Sequence, residues 1–209
     1  MDLSFFNKKT MKVVYIILAL LFSGFVFSQV YVQRSTSKTE HVDYKVVRKL
    51  SNGVEIRKYE DLIVAYTKIS SSNYSNVANR GFRKIAGYIF GGNQEGQNIA
   101  MTAPVQMSFA DTSEMMFFMP KAYESMAQLP IPNDSSVRIK ELKERTVAAI
   151  VFNGWASDDK IEMEKKNLVK ALEQEGIAFE ANDFAYLGYN PPFQLANRRN
   201  EIIVTLKEF

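Results

Sequence analysis

An α+β fold built by duplication is what this sequence predicts. Two strand–strand–helix–strand–strand units supply eight antiparallel strands, closing with pseudo-twofold symmetry into a distorted barrel-like sheet flanked by two helices. Three observations carry the prediction. The segments Val54–Ala65 and Val137–Ala148 repeat one apolar pattern. Each repeat passes from period-two alternation to helical periodicity and back. Hydrophobic residues make up 46% of the 209, enough to bury a sizeable core.

Residues 1–28 stand outside that fold. Lys8, Lys9 and Lys12 precede the apolar run Val13–Phe27, and Val26 and Ser28 suit the −3 and −1 positions of a cleavage site. The segment therefore reads as a signal peptide. The alternative is an uncleaved membrane anchor, because residues 13–32 are long enough to span a bilayer. Lysines on the N-terminal side place the rest of the chain outside the cytoplasm in either case, periplasmic or extracellular. Residues 29–43 end in a polar, aperiodic run that reads as a linker and contains His41, the single histidine of the chain. The domain is expected over residues 44–209.

Within the domain, Val54–Ala65 alternates apolar and polar residues, breaks at Glu60-Asp61 and resumes, predicting a strand, a tight turn and a second strand. Val137–Ala148 does the same around Lys143-Glu144. Helices follow in both units. Ala78, Phe82, Ile85 and Ile89 mark one face of the first. Ile161, Leu168 and Leu172 mark the second, with Ser157 as N-cap and Gly176 as stop. Met101–Phe109, Met115–Met119, Phe184–Tyr189 and Ile202–Leu206 complete the strands, and Pro130–Asp134 is an internal connector. Neither half is expected to stand alone, since each leaves one side of its sheet unpaired.

Composition excludes much chemistry. There is no cysteine, so disulfide scaffolds, thiolate metal sites and cysteine nucleophiles are out; with one histidine, so is any site needing two imidazoles. Of the net charge of +3, residues 1–28 carry +2, and the near-neutral remainder lacks the basic footprint of a nucleic-acid binder. Gly91-Gly92-Asn93 follows a helix instead of preceding one, which makes it a helix stop and not a phosphate cradle. Met115–Met119 reads as a strand apolar on both faces, or as part of a soft apolar pocket. Arg198-Arg199-Asn200-Glu201 reads as structural ion pairing, or as a cationic rim for ligand carboxylates. No catalytic constellation and no metal-ligand set can be assigned.

These blocks resemble the SOUL family of haem-binding proteins, and with the leader read as an exported bacterial member. The resemblance rests on Val54-Glu55-Ile56-Arg57-Lys58-Tyr59, Tyr88-Ile89-Phe90-Gly91-Gly92-Asn93, Met101-Thr102-Ala103-Pro104-Val105, Gly188-Tyr189-Asn190-Pro191-Pro192 and Asn197-Arg198-Arg199-Asn200-Glu201. It covers residues 43–207. The family fold, a pseudo-twofold eight-stranded distorted barrel with two helices, matches the duplication found independently. The resemblance implies a non-covalent site for haem or another porphyrin, between the first helix of the domain and the loop before its last strand. Carried over by position, the helix contacts are Asn79, Phe82, Ala86 and Gly87, and the loop contacts are Phe193 and Gln194. Two departures stand out. Asn79 and Gly87 occupy positions where a haem-binding relative offers basic side chains to the propionates, and Lys58 occupies the place of the axial histidine. His41 lies outside the matched blocks. The implied function is a carrier, scavenger or buffer of tetrapyrroles. The alternatives are a tetrapyrrole-modifying enzyme and a ligand-sensing or protein-interaction module.

Overall fold

In the computed structural model, residues 8–36, 38–70, 74–108 and 113–207 are described. They form two compact units: one holds the N-terminal helix and the 191–197 loop, the other everything else from Thr39 onward.

In the smaller unit, α1 (Lys8–Thr36) is a single helix of 29 residues. Its stretch Met11–Thr36 is long and apolar enough to cross a membrane, 26 residues or about 39 Å at 1.5 Å per residue. The hydroxyls of Ser23 and Ser28 donate back to the carbonyls of Ala19 and Phe25. Their polarity is thus satisfied inside the helix, as an apolar environment demands. The helix runs through residues 29–36, where the sequence suggested the start of a linker.

The larger unit contains β1 (Glu40–His41), β2 (Lys45–Lys49), β3 (Glu55–Tyr59), β4 (Leu62–Ile69), α2 (Tyr74–Ile89), β5 (Thr102–Ala103), β6 (Val105–Ser108), β7 (Ser113–Phe118), β8 (Val137–Leu142), β9 (Arg145–Asn153), α3 (Asp158–Gln174), β10 (Phe179–Gly188) and β11 (Arg199–Leu206). Nine strands make one antiparallel sheet in the order β2-β3-β9-β11-β10-β6-β7-β4-β8. Without β2 the order is a palindrome: exchanging β3 with β8, β4 with β9, β6 with β10 and β7 with β11 reproduces it. The pseudo-dyad therefore passes between β6 and β10. This is the duplicated α+β sheet that the repeat predicts. No hydrogen-bonded pairing among the described residues closes its two ends, and β2 is a ninth strand that the repeat does not contain.

One pairing differs from expectation. The segments on either side of Glu60-Asp61 do not form a hairpin. Instead β3 pairs with β9 and β4 with β8, in one register that runs unbroken through both, from Glu55 opposite Ala149 to Thr67 opposite Val137. The first strand of each half is thus handed to the other half. At the corner the dyad-related links touch: the Asp61 carboxylate accepts from the Glu144 backbone N–H (2.7 Å) and from Lys143 Nζ (3.0 Å). Those two contacts, Lys143 first, hold Asp61 below the usual carboxylate range.

Alternate strand residues divide between two apolar clusters. Ile56, Ala65, Met115, Ala148, Ile202 and Val204 pack beneath Val77, Ile85 and Ile89 of α2 and Leu168 and Leu172 of α3. On the opposite face Tyr59, Val147, Ala149, Leu187, Tyr189 and Ile203 pack with Tyr44 and Val42, and Val64, Met116 and Phe118 extend this layer. Both faces of β7 are buried, as the methionine run suggested. The segment expected to be an aperiodic linker around His41 joins this second face. Glu40 and His41 pair in parallel with Thr102 and Ala103, and the Val42 N–H donates to the Ala103 carbonyl (3.0 Å).

Candidate functional site: the outer face of the first domain helix

Helix α2 owes its seat on the sheet to one glycine. A Cβ on Gly81 would stand 2.8 Å from Met115 Cβ, so only glycine lets the helix lie this close to β7. Phe82 then leans on Phe117, ring centroids 5.3 Å apart. The stop works as the sequence suggested. Gly91 takes φ +96°, the Gly92 N–H donates to the Gly87 carbonyl (2.9 Å), and a Cβ on Gly92 would meet that oxygen at 2.5 Å. Buried Asn93 locks the turn, its amide donating to the Tyr88 and Gln97 carbonyls. Tyr88 in turn donates to the Pro130 carbonyl (2.9 Å), and burial, with Tyr123 and Glu95 nearby, pushes its phenol up to about 12.

The four helix positions carried over from the family pattern lie on one side of α2, within about 140° of arc at 3.6 residues per turn. They are not equivalent. Phe82 is half-buried against the sheet and Ala86 is buried, whereas Asn79 and Gly87 face outward. Nothing lies within 4 Å of where a Gly87 Cβ would be, so a flat ligand meets bare backbone there. Arg83 stands one turn from both Asn79 and Gly87, in the middle of the same arc, and is exposed. Among the described residues it makes no ion pair. Sequence reasoning passed over Arg83, although its i, i+4 spacing from Asn79 and Gly87 was there to be read. Phe90, just past the helix on the same side, is 61% exposed.

Phe193 and Gln194 belong to the smaller unit. There the Phe193 carbonyl accepts from the Gln29 amide (3.4 Å), and Gln194 accepts from the Thr36 hydroxyl (2.9 Å) while donating to the Ala196 carbonyl (3.0 Å). The structure thus brings four of the six family-implied residues together on α2 and sets the other two beside α1.

The groups considered as iron ligands are engaged elsewhere. Lys58 is exposed on β3 and pairs with Glu144 (3.0 Å). His41 lies beside Tyr189, ring centroids 5.8 Å apart, on the sheet face away from the helices. Among the described residues no three histidine or carboxylate side chains gather in a metal-binding group. Arg198 is no cationic rim: it is buried with its guanidinium 4.2 Å from the Trp155 ring centre. Arg199 donates to the Glu201 carboxylate, which is structural pairing.

Comparison with known proteins agrees with this architecture. Residues 39–205 match the family model described as SOUL heme-binding protein. Heme-binding protein 2 of Mus musculus is 32% identical over 156 residues, covering 71% of this chain and 75% of that protein. The Homo sapiens protein of the same name is 31% identical over the same coverage. Among solved structures, the C-terminal domain of EcmrR superposes with a TM-score of 0.57 at 12% identity, covering 79% of this chain and 99% of that one, a likeness of fold alone. With a family match that spans the whole domain and two such relatives at 32% and 31% identity, the chain belongs to the SOUL heme-binding protein family.

Proposed function

We propose that this protein binds haem or a related tetrapyrrole non-covalently, as a carrier, scavenger or buffer, and not as an enzyme acting on it. The supporting observation is the exposed arc of α2, where bare backbone at Gly87 meets the edge of an apolar patch at Phe82, Ala86 and Phe90. A macrocycle laid there buries apolar surface worth roughly 25 cal/mol per Å², less the cost of ordering. Arg83, exposed between Asn79 and Gly87 on the same arc, would offer the ring's carboxylates the cation that those two positions lack. A guanidinium fork suits a carboxylate. The family pattern also implies Phe193 and Gln194 as contacts. Lys58 is paired with Glu144 and His41 lies on the opposite sheet face, so neither of these two groups is offered to the iron at the α2 arc, which favours reversible binding over redox chemistry.

Titration with haem is the test. A saturable Soret shift at one equivalent is expected, Arg83→Ala should weaken binding about fivefold to tenfold (~1 kcal/mol), and Gly87→Trp should block it. His41→Ala should change neither spectrum nor affinity. Non-saturating adsorption overturns the reading.

On the same reading the domain works outside the cytoplasm, delivered by α1 as a signal peptide or held by residues 13–32 as an anchor. Fractionation of the native host, with the N-terminal mass of the mature chain, separates the two. Recovery of the domain in the cytoplasm overturns both.

A further inference from the structure

The two helices sit differently on their dyad-related strands. α3 carries Glu164 where α2 has Gly81, and Lys165 where α2 has Phe82. Beneath them, Ile202 replaces Met115 and Val204 replaces Phe117, as the sheet registers require. The consequences follow from size. Gly81 lets α2 lie against Met115, and the Phe82 ring fills the space beside it. Buried Glu164, braced by Lys160 (3.1 Å) and Asn167 (3.0 Å), denies α3 the same approach. The Lys165 ammonium swings over the Phe184 ring, 4.7 Å from its centre, instead of entering the gap. A cleft of about 220 Å³ opens between α3 and the sheet, floored by Ile161, Phe184, Tyr186 and Ile202 and rimmed by Asp158, Glu162 and Lys165.

We infer that this cleft is a second ligand site, distinct from the α2 face, for a neutral aromatic molecule of one or two fused rings. The first half fills this position with the Phe82 ring; the second half has Lys165 there, over a floor of Phe184, Tyr186 and Ile202 in place of Val105, Met107 and Met115. Size sets the class. An apolar cavity of about 150 Å³ holds a benzene, while drug-sized ligands need about 300 Å³ or more. A tetrapyrrole is therefore too large, and an indole-sized ring fits. The floor is aliphatic and aromatic, and Tyr186 already donates its hydroxyl to Asn200 (2.6 Å), so the interior asks for no polar partner. Lys165, already over one ring, is poised to cap a second by cation–π contact.

The test is indole binding to the full chain in detergent, followed by amide chemical shifts and calorimetry. Saturable binding at one equivalent is expected, with shifts confined to Ile161, Lys165, Phe184 and Ile202. Lys165→Phe, which rebuilds the plug of the other half, should weaken indole by about tenfold or more, raise Tm and leave haem titration unaltered. Should that variant misfold, the shift map of the wild-type chain still decides. Absence of saturation, shifts centred on α2, or indole affinity unchanged in folded Lys165→Phe would each overturn the inference. Because haem is read separately, a failure here is distinguishable from a failure of the α2 site.

Discussion

Arg57 and Lys140 are dyad mates, and each reaches a glutamate on the strand two places along its own edge of the sheet. Arg57 bonds Glu201 at 2.7 Å; Lys140 bonds Glu114 at 2.8 Å. Each cation also lies over a tyrosine, Arg57 over Tyr44 (4.2 Å) and Lys140 over Tyr66 (4.3 Å). Yet the first pair is sealed, with side chains 1% and 0% exposed, and the second is open, at 33% and 17%. The lid makes the difference. Tyr44 and β1 come from the segment that enters the domain, which the second half has no copy of, and this segment closes over Arg57. Glu201 is then satisfied on every side, by Arg57, Arg199 and the hydroxyl of Tyr189 (3.0 Å). Position in the fold thus sets which charges meet, while the covering chain decides how much the meeting matters.

The largest expected effect comes from breaking the sealed pair. Arg57→Met leaves Glu201 buried beside an apolar group and should cost about 3–5 kcal/mol, read by urea unfolding. Adding Glu201→Leu should recover much of that loss, because a buried ion pair replaced by hydrophobic groups is often neutral. Failure to recover would show that Arg199 and Tyr189 need the carboxylate too.

Next comes the helix seat. Gly81→Ala drives a methyl group into Met115 and should cost about 1–3 kcal/mol, read by the same unfolding. The reciprocal Glu164→Ala under α3 should cost less, since nothing there requires close approach.

A pH effect separates the halves further. Burial, with the Glu201 carboxylate adding to it, pushes Tyr59 up to about 12 from 10.0. A raised phenol favours the neutral form in the folded state, so its contribution is fully present below pH 10 and is lost as pH rises through about 12. Its dyad mate is Leu142, which does not titrate. Tyr59→Phe should therefore flatten part of the alkaline loss of stability, measured by denaturation at stepped pH. Smallest of all, Lys140→Met at the open pair should change stability by about 0–1 kcal/mol.

Much of this organisation was legible in the residues. The repeat, the helix faces, Ser157 as cap, whose hydroxyl accepts from Lys160 N–H (3.3 Å), and the glycine stops all rest on local rules. Strand pairing does not. Val54–Ala65 looked like a hairpin because a charged pair interrupts two alternating runs. A two-residue hairpin, however, wants left-handed residues at its turn. Asn52-Gly53 has them, with φ 64° and 77°, and joins the unforeseen strand β2 to β3; no residue at 60–61 or 143–144 does. That contrast was in the sequence. His41 was harder, since two residues of parallel pairing leave no periodicity to detect. Of the site, the α2 positions were found through family blocks, whereas the open arc with Arg83 at its centre emerges only once the helix is seated.

The exchange of first strands sets the order of events when the chain folds. The β2–β3 hairpin can form early, but β3 joins the rest of the sheet only when β9 has been made, and β4, paired with β7, gains its outer neighbour only with β8. The hairpin that holds residues 55–59 therefore cannot join the main sheet until well past the midpoint of synthesis. Contacts of such sequence separation are slow to form, because loop closure must precede any gain from pairing. The first half of the nascent chain stays unlatched from the second until β8 and β9 exist.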